Sequence, residues 1–289
     1  MKENSDRHPD FFVIGAAKSG TSSLYEYLTR HPRIFMPELK EPEFFSREAV
    51  YNQGIGWYQN LFSAAAKDQL CGEASTTYSR WPHTLDAPKL IFNTVPDAKF
   101  IYIMRNPVDR AYSHYGHHMR EGVTMTFEEA LKKDTIYVDC SMYMDQIKRY
   151  LRYFPHEKFL FLFQEELKNN PEALLQKITA FLNLENINLA SNGIVKRNVG
   201  GADHFIRSKT TMKLRRIPPI GFLAACMPKS VKDKMYAKIR NSFIGKRLEK
   251  SHQLTPMKAE TRKSLLDQFE KNTTDLEDFL GIKLDSWRK

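Results

Sequence analysis

Residues 11 to 23 read Phe-Phe-Val-Ile-Gly-Ala-Ala-Lys-Ser-Gly-Thr-Ser-Ser, and no other segment constrains the fold as much. Phe11 to Ile14 is an apolar, strand-favouring run that stops at Gly15. A turn of small residues carrying one lysine follows, and Leu24, Tyr27 and Leu28 then recur at helical spacing. A strand, a glycine-bounded loop and a helix start form an arrangement that holds oxyanions. The loop N–H groups and the positive end of the helix dipole converge on the ligand. The segment therefore predicts an α/β chain that binds a phosphate or sulfate ester. The competing structural reading is a Rossmann-like turn whose lysine is incidental.

The position of the lysine separates two kinds of ester. In the Walker A loop of NTPases, G-x-x-x-x-G-K-[ST], lysine directly follows the second glycine. Gly15 and Gly20 keep that glycine spacing, but Thr21 stands where the lysine belongs, and the lysine is Lys18, inside the loop. A magnesium-dependent nucleotide site also wants an Asp at the end of a nearby apolar strand. The best later strand, residues 99–104, runs instead into Arg105-Asn106-Pro107. A fixed cation in place of a metal ligand fits a second anionic group on the ligand. Both departures argue against a P-loop kinase or NTPase.

Lys18-Ser19-Gly20-Thr21-Ser22-Ser23 resembles the 5′-phosphosulfate loop of sulfotransferases that use 3′-phosphoadenosine 5′-phosphosulfate (PAPS). Residues 102–113, Tyr-Ile-Met-Arg-Asn-Pro-Val-Asp-Arg-Ala-Tyr-Ser, resemble that family's 3′-phosphate motif. There the Arg at the strand end and the Ser eight residues on contact the 3′-phosphate, and the matching positions are Arg105 and Ser113. The two motifs stand in the family's order, about 85 residues apart. The likeness spans about residues 10 to 185, with a weaker echo in a C-terminal helix ending near Trp287. The branch resembled is the heparan-sulfate and bacterial carbohydrate type. Its glutamate shortly before a Phe-Phe pair matches Lys40-Glu41-Pro42-Glu43-Phe44-Phe45. A loop of the type Asn-x-Gly-Gly…Arg-Ser in related bacterial sequences resembles Asn198-Val199-Gly200-Gly201…Arg207-Ser208, which makes Arg207 a third candidate contact to the donor.

The resemblance implies PAPS as donor and no metal. In sulfuryl transfer an acceptor oxygen or nitrogen attacks sulfur in line, and negative charge builds on the bridging oxygen of the leaving 5′-phosphate. By analogy with phosphoryl transfer, the protein positions the reactants and neutralises charge. Lys18 is the expected partner of the bridging oxygen. The N–H groups of Ser19, Gly20, Thr21 and Ser22 and the hydroxyls of Thr21, Ser22 and Ser23 are the expected cradle of the 5′-phosphate. A hydroxyl acceptor needs a base within hydrogen-bond reach. The family match gives this role to Glu41, with Glu43 as the alternative, where the family often has histidine. In an extended stretch the two carboxylates point to opposite sides, so only one faces the cleft. The competing reading of Glu41 is a solvated loop carboxylate. Heparan-type enzymes carry a lysine after the glutamate that matches Glu73; here it is Ala74, which argues against carrying over their polysaccharide specificity. A small-molecule or carbohydrate hydroxyl, or an amine, is the expected acceptor.

Length and patterning agree with one α/β unit. The 289 residues, 42% of them apolar, suffice for a sizeable core. Strand-like and helix-like segments alternate: strands at 11–15, 99–104 and 159–163, a short strand running into a loop over 71–78, and helices at 20–30, 84–95, 107–120, 126–133, 141–154, 171–182 and within 255–280. Residues 33–60 read mostly as loop. This order predicts a single sulfotransferase domain over 1–289: a PAPS-binding core at 10–185, a basic lid or acceptor segment at 195–250 and C-terminal helices at 255–289. The expected architecture is a central parallel sheet with helices on both sides and the ligand at the carboxyl ends of the strands.

Net charge is +10, and residues 207–240 hold ten Lys/Arg against one acidic residue, Asp233. The remainder is therefore close to neutral. Three readings of the basic segment compete: a lid over an anionic donor and acceptor, an interfacial segment resting on anionic lipid, and a solvated helical face. A nucleic-acid-binding protein would account for the pI of about 9.3 but not for the two phosphate motifs, so no nucleic-acid partner is expected. Three widely spaced cysteines (Cys71, Cys140 and Cys226) lack metal-site spacing and fit a reducing compartment. No apolar run approaches the ~20 residues of a membrane span, and the opening Met-Lys-Glu-Asn-Ser-Asp does not read as a signal peptide. The expectation is a cytoplasmic, bacterial enzyme. His114, His117 and His118 share a helix at near-ligand spacing but lack a third ligand in register. Trp57, Tyr78 and Trp81 are candidates to stack on a ring-shaped acceptor, or simply core.

Overall fold

The computed structural model describes residues 7–186, 254 and 256–289. The α/β architecture expected above is present. Five parallel strands form a sheet of order β2-β3-β1-β4-β5. They are β1 (Phe11–Gly15), β2 (Ile34–Phe35), β3 (Leu70–Ala74), β4 (Lys99–Met104) and β5 (Phe159–Phe163). β1 lies at the centre and all five of its residues are buried. Its neighbour β4 follows the same period of two, which sorts the side chains onto two faces. Phe12, Ile14, Phe100, Tyr102 and Met104 enter one core; Phe11, Val13, Ile101 and Ile103 enter the other.

Helices cover both faces, as a parallel sheet requires. The second core is closed by α1 (Thr21–Leu28) through Leu24 and Leu28, and by a later helix, Pro171–Phe181, through Leu174 and Ile178. Opposite it, helices Ala87–Thr94, Tyr143–Tyr150 and Ala259–Leu280 supply Ile91, Ile147 and Leu276. Burying a side chain of this size contributes about 1.5–3 kcal/mol. The continuous apolar runs at 11–14 and 100–104 thus explain why β1 and β4 are central.

Numbered along the chain, the remaining helices are α2 (Glu48–Tyr51), α3 (Ile55–Asn60), α4 (Ala87–Thr94), α5 (Pro107–Glu121), α6 (Phe127–Lys133), α7 (Ile136–Asp139), α8 (Tyr143–Tyr150), α9 (Gln164–Asn169), α10 (Pro171–Phe181) and α11 (Ala259–Leu280). The reading of 33–60 as mostly loop missed β2, α2 and α3, which span two, four and six residues. Elements this short hold less than two periods of any pattern. α9 was also unforeseen. It starts directly from β5, where Phe163 N donates to Glu166 Oε2 at 3.0 Å. Asn170 then opens α10, its Oδ1 accepting from Ala173 N at 3.0 Å, with Pro171 in the first turn. The stretch 255–280 resolves to one helix, α11, whose inner face carries Leu265, Phe269 and Leu276.

Residues 112–133, with 254 and 256–258, belong to a compact unit separate from the other described residues. Inside it, Phe127 of α6 packs against Tyr112 and Tyr115, and Tyr115 Oη donates to Met125 O at 2.8 Å. The basic segment 207–240 lies outside the described residues. Among the described residues no helix is long and apolar enough to cross a membrane.

The chain end is fastened to the sheet's first face. Asn272 Oδ1 accepts from Met144 N at 3.0 Å, and Trp287 O accepts from Asn106 Nδ2 at 3.1 Å. Glu277 is buried and takes two hydrogen bonds from Arg288, at 2.8 and 2.9 Å. These bonds hold its carboxyl at about 2, well below the ordinary 4.5. Such a group stabilises the fold above its unfolded value, and the contribution fades as pH falls through the folded value. Because Arg288 is partly exposed, the contribution is discounted to ~1 kcal/mol. Glu277→Gln should therefore lower Tm by about 3 °C at pH 7. Thermal melts should show the gap to wild type narrowing as pH drops from 4.5 towards 2.

Candidate active site

The phosphate-loop candidates sit where β1 ends. A Cβ on Gly15, at φ 147°, would collide with the Ser79 hydroxyl, so only glycine ends the strand there. Ala16 N donates to Ile103 O at 2.7 Å and Ser19 N to Ala16 O at 3.1 Å, which curls the loop over the end of β4. Lys18 and Gly20 both adopt left-handed backbone, at φ 71° and 101°. A lysine in that region is strained and persists because its surroundings fix it. Gly20 is also the N-cap of α1, so no side chain caps the first turn. The N–H groups of that turn, in Thr21, Ser22 and Ser23, have no intrahelical acceptor and lie at the positive end of the helix dipole. This donor set fits a phosphate ester.

Arg105 follows β4 and reaches back to this loop. Its Nη1 donates to Lys18 O at 3.3 Å, so the two sequence motifs meet in space. Arg105 O accepts from Tyr143 Oη at 2.8 Å, and Arg105 Nη2 lies 3.8 Å from Asp109 Oδ2. Asp109 is in turn held by Arg262 Nη1 at 3.0 Å. Asn106 caps α5, its Oδ1 accepting from Val108 N and Asp109 N at 3.0 and 3.1 Å. Gln164, at the end of β5, adds an Nε2 donor 3.4 Å from Lys18 O. No motif signalled Gln164. Ser113 lies on α5 in the other compact unit, and Arg207 lies outside the described residues.

The second candidate segment meets the end of β3. Glu41 N donates to Ala74 O at 3.1 Å and Glu43 N to Ser75 Oγ at 3.0 Å. The expected extended geometry is absent here. Glu41 and Glu43 have φ of 58° and 59°, because both N–H groups are drawn to the same strand end. The carboxylates still separate. Glu41 Oε2 accepts from Thr76 Oγ1 at 2.9 Å, and its Oε1 lies 3.2 Å from Lys40 Nζ. Lys40 Nζ also donates to Ser22 Oγ at 3.1 Å, which joins this segment to α1. Glu43 turns instead to Arg47 Nη1 at 2.8 Å, and burial raises its carboxyl above the ordinary value.

Beneath them lies Glu73, with no exposed surface. Its Oε1 accepts from Ser75 Oγ at 2.7 Å and its Oε2 from the Tyr58 hydroxyl. Burial pushes the Glu73 carboxyl up to about 7. Ser75 Oγ thus donates to Glu73 and accepts from Glu43 N, and the buried acid anchors the segment above it. Phe44 stacks on Tyr58 at 4.4 Å, and both it and Phe45 are buried. The Phe-Phe pair is therefore core. Of the three aromatics expected either to stack on an acceptor or to be core, Tyr78 is buried and Trp57 packs on the core. Trp81 is exposed, with the Arg149 guanidinium 4.0 Å from its ring centre. In the separate unit, the His114 and His118 rings lie 4.5 Å apart. Among the described residues no three His, Cys, Asp or Glu side chains are placed to hold a metal ion.

The comparisons bear on the whole of this region. A family profile described as a sulfotransferase domain matches residues 8–199. The chain is 32% identical over 190 residues to human heparan sulfate glucosamine 3-O-sulfotransferase 6, covering 63% of this chain and 54% of that protein. It is 30% identical over 203 residues to human bifunctional heparan sulfate N-deacetylase/N-sulfotransferase 3, covering 63% of this chain and 23% of that protein. The chain thus spans about half the length of the curated 3-O-sulfotransferases it matches, and less of the bifunctional enzyme. The crystal structure of a sulfotransferase from Alicyclobacillus acidocaldarius superposes with a TM-score of 0.68 at 26% identity, covering 98% of this chain and 100% of that one. With the profile spanning more than half of its length, and both phosphate motifs at the carboxyl ends of β1 and β4, the chain belongs to the family of PAPS-dependent sulfotransferases.

Proposed function

We propose that the protein transfers a sulfuryl group from PAPS to a hydroxyl of a small-molecule or carbohydrate acceptor. The observation that supports this reading is the contact between Arg105 and the Lys18 carbonyl, which brings the two motifs together beside the start of α1. Arg105 binds the 3′-phosphate. The first-turn N–H groups and the hydroxyls of Thr21, Ser22 and Ser23 bind the 5′-phosphate. Lys18 meets the bridging oxygen as charge develops on it. Ser19, fully buried within the loop, gives its N–H to Ala16 O, so it shapes the loop and its N–H drops out of the expected phosphate donors. The resemblance adds Arg207 as a third contact to the donor.

Glu41 serves as the base. Its partners among the described residues, Lys40 and the hydroxyl and N–H of Thr76, leave it partly exposed, whereas Glu43 is paired with Arg47 and Glu73 is sealed from solvent. The acceptor hydroxyl gives its proton to Glu41 as its oxygen bonds to sulfur. The sulfur–oxygen bond to the 5′-phosphate breaks, and its electron pair leaves on that phosphate. A carbohydrate hydroxyl is supported by the curated relatives named as heparan sulfate glucosamine 3-O-sulfotransferases. Ala74, in place of that branch's lysine, supports an acceptor other than their polysaccharide. An amine acceptor is the alternative, in line with the N-sulfotransferase relatives.

Three measurements test the reading. Calorimetric titration should give tight, metal-independent binding of 3′,5′-ADP and weak binding of 5′-ADP and magnesium-ATP. A preference for magnesium-ATP would return the chain to the P-loop kinases. Arg105→Ala should weaken 3′,5′-ADP binding at least tenfold, about 1.4 kcal/mol, while Lys18→Ala should reduce turnover by about 10²–10³ or more. Glu41→Gln should cut turnover by about 10²–10⁴ with 3′,5′-ADP affinity unchanged; near-normal turnover on a hydroxyl acceptor would remove Glu41 from the mechanism.

A further inference from the structure

Lys40 joins the two halves of the site. Its ammonium lies 3.1 Å from Ser22 Oγ, in the first turn of α1, and 3.2 Å from Glu41 Oε1. The phosphate-loop hydroxyl and the candidate base are therefore no farther apart than the sum of these two distances. The side chain is only 24% exposed. A lysine confined that far gives up rotamer freedom and hydration, costs that its few partners must offset.

The placement matters because of what in-line transfer requires. The 5′-phosphate is held at the α1 end and the acceptor oxygen at Glu41, so the sulfuryl group in flight passes between them. Lys40 touches both ends of that path. An ammonium has three donors. Ser22 and Glu41 take two, leaving one for a ligand oxygen.

Resting on the sulfotransferase reading above, we propose that Lys40 is a second catalytic cation, contacting the non-bridging oxygens of the sulfuryl group. It stays protonated throughout. The acceptor oxygen bonds to sulfur, its proton passes to Glu41, and the bond to the bridging oxygen breaks towards Lys18. Lys40 balances the charge of the three equatorial oxygens while Lys18 balances the leaving group. Its contact with Glu41 also fixes the base relative to the donor. A purely structural Lys40 would serve only that last purpose, and a neutral hydrogen-bonding side chain would replace it.

The test compares Lys40→Gln, Lys40→Met and Lys40→Arg with wild type, after thermal melts establish that each is folded. The deciding readout is binding without acceptor. 3′,5′-ADP lacks the sulfuryl group, so its affinity should change less than about threefold in the Gln and Met variants. PAPS affinity should fall about tenfold. Turnover should drop about 100-fold in both and recover to within about tenfold of wild type in Lys40→Arg. Equal losses for PAPS and 3′,5′-ADP would make Lys40 a loop-positioning residue and overturn the proposal, as would turnover within threefold of wild type in Lys40→Gln. Should the Met variant fail to fold, the Gln and Arg variants decide alone. Failure of the underlying reading looks different: wild type itself would then bind neither PAPS nor 3′,5′-ADP, and the Lys40 role would fall with it.

Discussion

The site depends first on the complete burial of β1. With both faces of the strand packed by side chains and both edges paired to β3 and β4, polar chemistry is confined to its ends. At the carboxyl end the chain turns left-handed at Lys18 and Gly20 and starts a helix whose N-cap, Gly20, offers no side chain to its first N–H groups. The same strand has β2 and β3 on one side and β4 and β5 on the other. The connections leaving β1 and β4 diverge, opening the crevice that open α/β sheets use for ligands. Arg105 and Gln164 leave the ends of β4 and β5 on one side of it, and Glu41 is pinned to the end of β3 on the other.

The loop that carries Glu41, proposed above as the base, rests on a support beneath it. Glu41 and Glu43 both sit in left-handed backbone, which costs of order 1–3 kcal/mol for each. The restraints are hydrogen bonds to Ala74 O and Ser75 Oγ, with the Phe44–Phe45 pair driven into the core behind them. Glu73 closes this arrangement from below. Its burial is unfavourable to the charged form, and the Ser75 and Tyr58 hydroxyls partly offset that cost. The pair of glutamates a few residues apart and the buried one thus divide the labour: Glu41 is reachable, Glu43 is tied to Arg47, and Glu73 holds the segment.

The sequence was most legible where one pattern served one purpose. The strand–loop–helix at 11–28 and the strand 99–104 ending in Arg105 appear almost residue for residue, because hydrophobic periodicity and the glycine break agree. The geometry around Glu41 was not legible. Alternation of side chains assumes β backbone, and here tertiary hydrogen bonds to β3 override it. Lys40 and Gln164 escaped for a related reason. Neither belongs to a periodic pattern, and their partners Ser22 and Lys18 lie far off in sequence, at separations of 18 and 146 residues. In the sequence Glu73 stands out only as the neighbour of Ala74; its burial follows from β3 lying beside β1, a sheet order that no local signal sets.

On the reading proposed above, Ala74 marks a position where the side chain changes while Glu41 stays docked. The group that Glu41 needs from position 74 is the backbone carbonyl, which any residue supplies. The side chain there is free to vary, so a lysine can be traded for a methyl group while the base loop stays docked. The cation next to the base comes instead from Lys40, on the loop itself, and reaches α1 through Ser22. Charge that accompanies the base along its own backbone moves with it and keeps its distance to the phosphate loop. Charge carried by position 74 would be set by the sheet. With the cation on the same loop as the proposed base, the contacts joining that loop to α1 do not depend on the side chain at position 74.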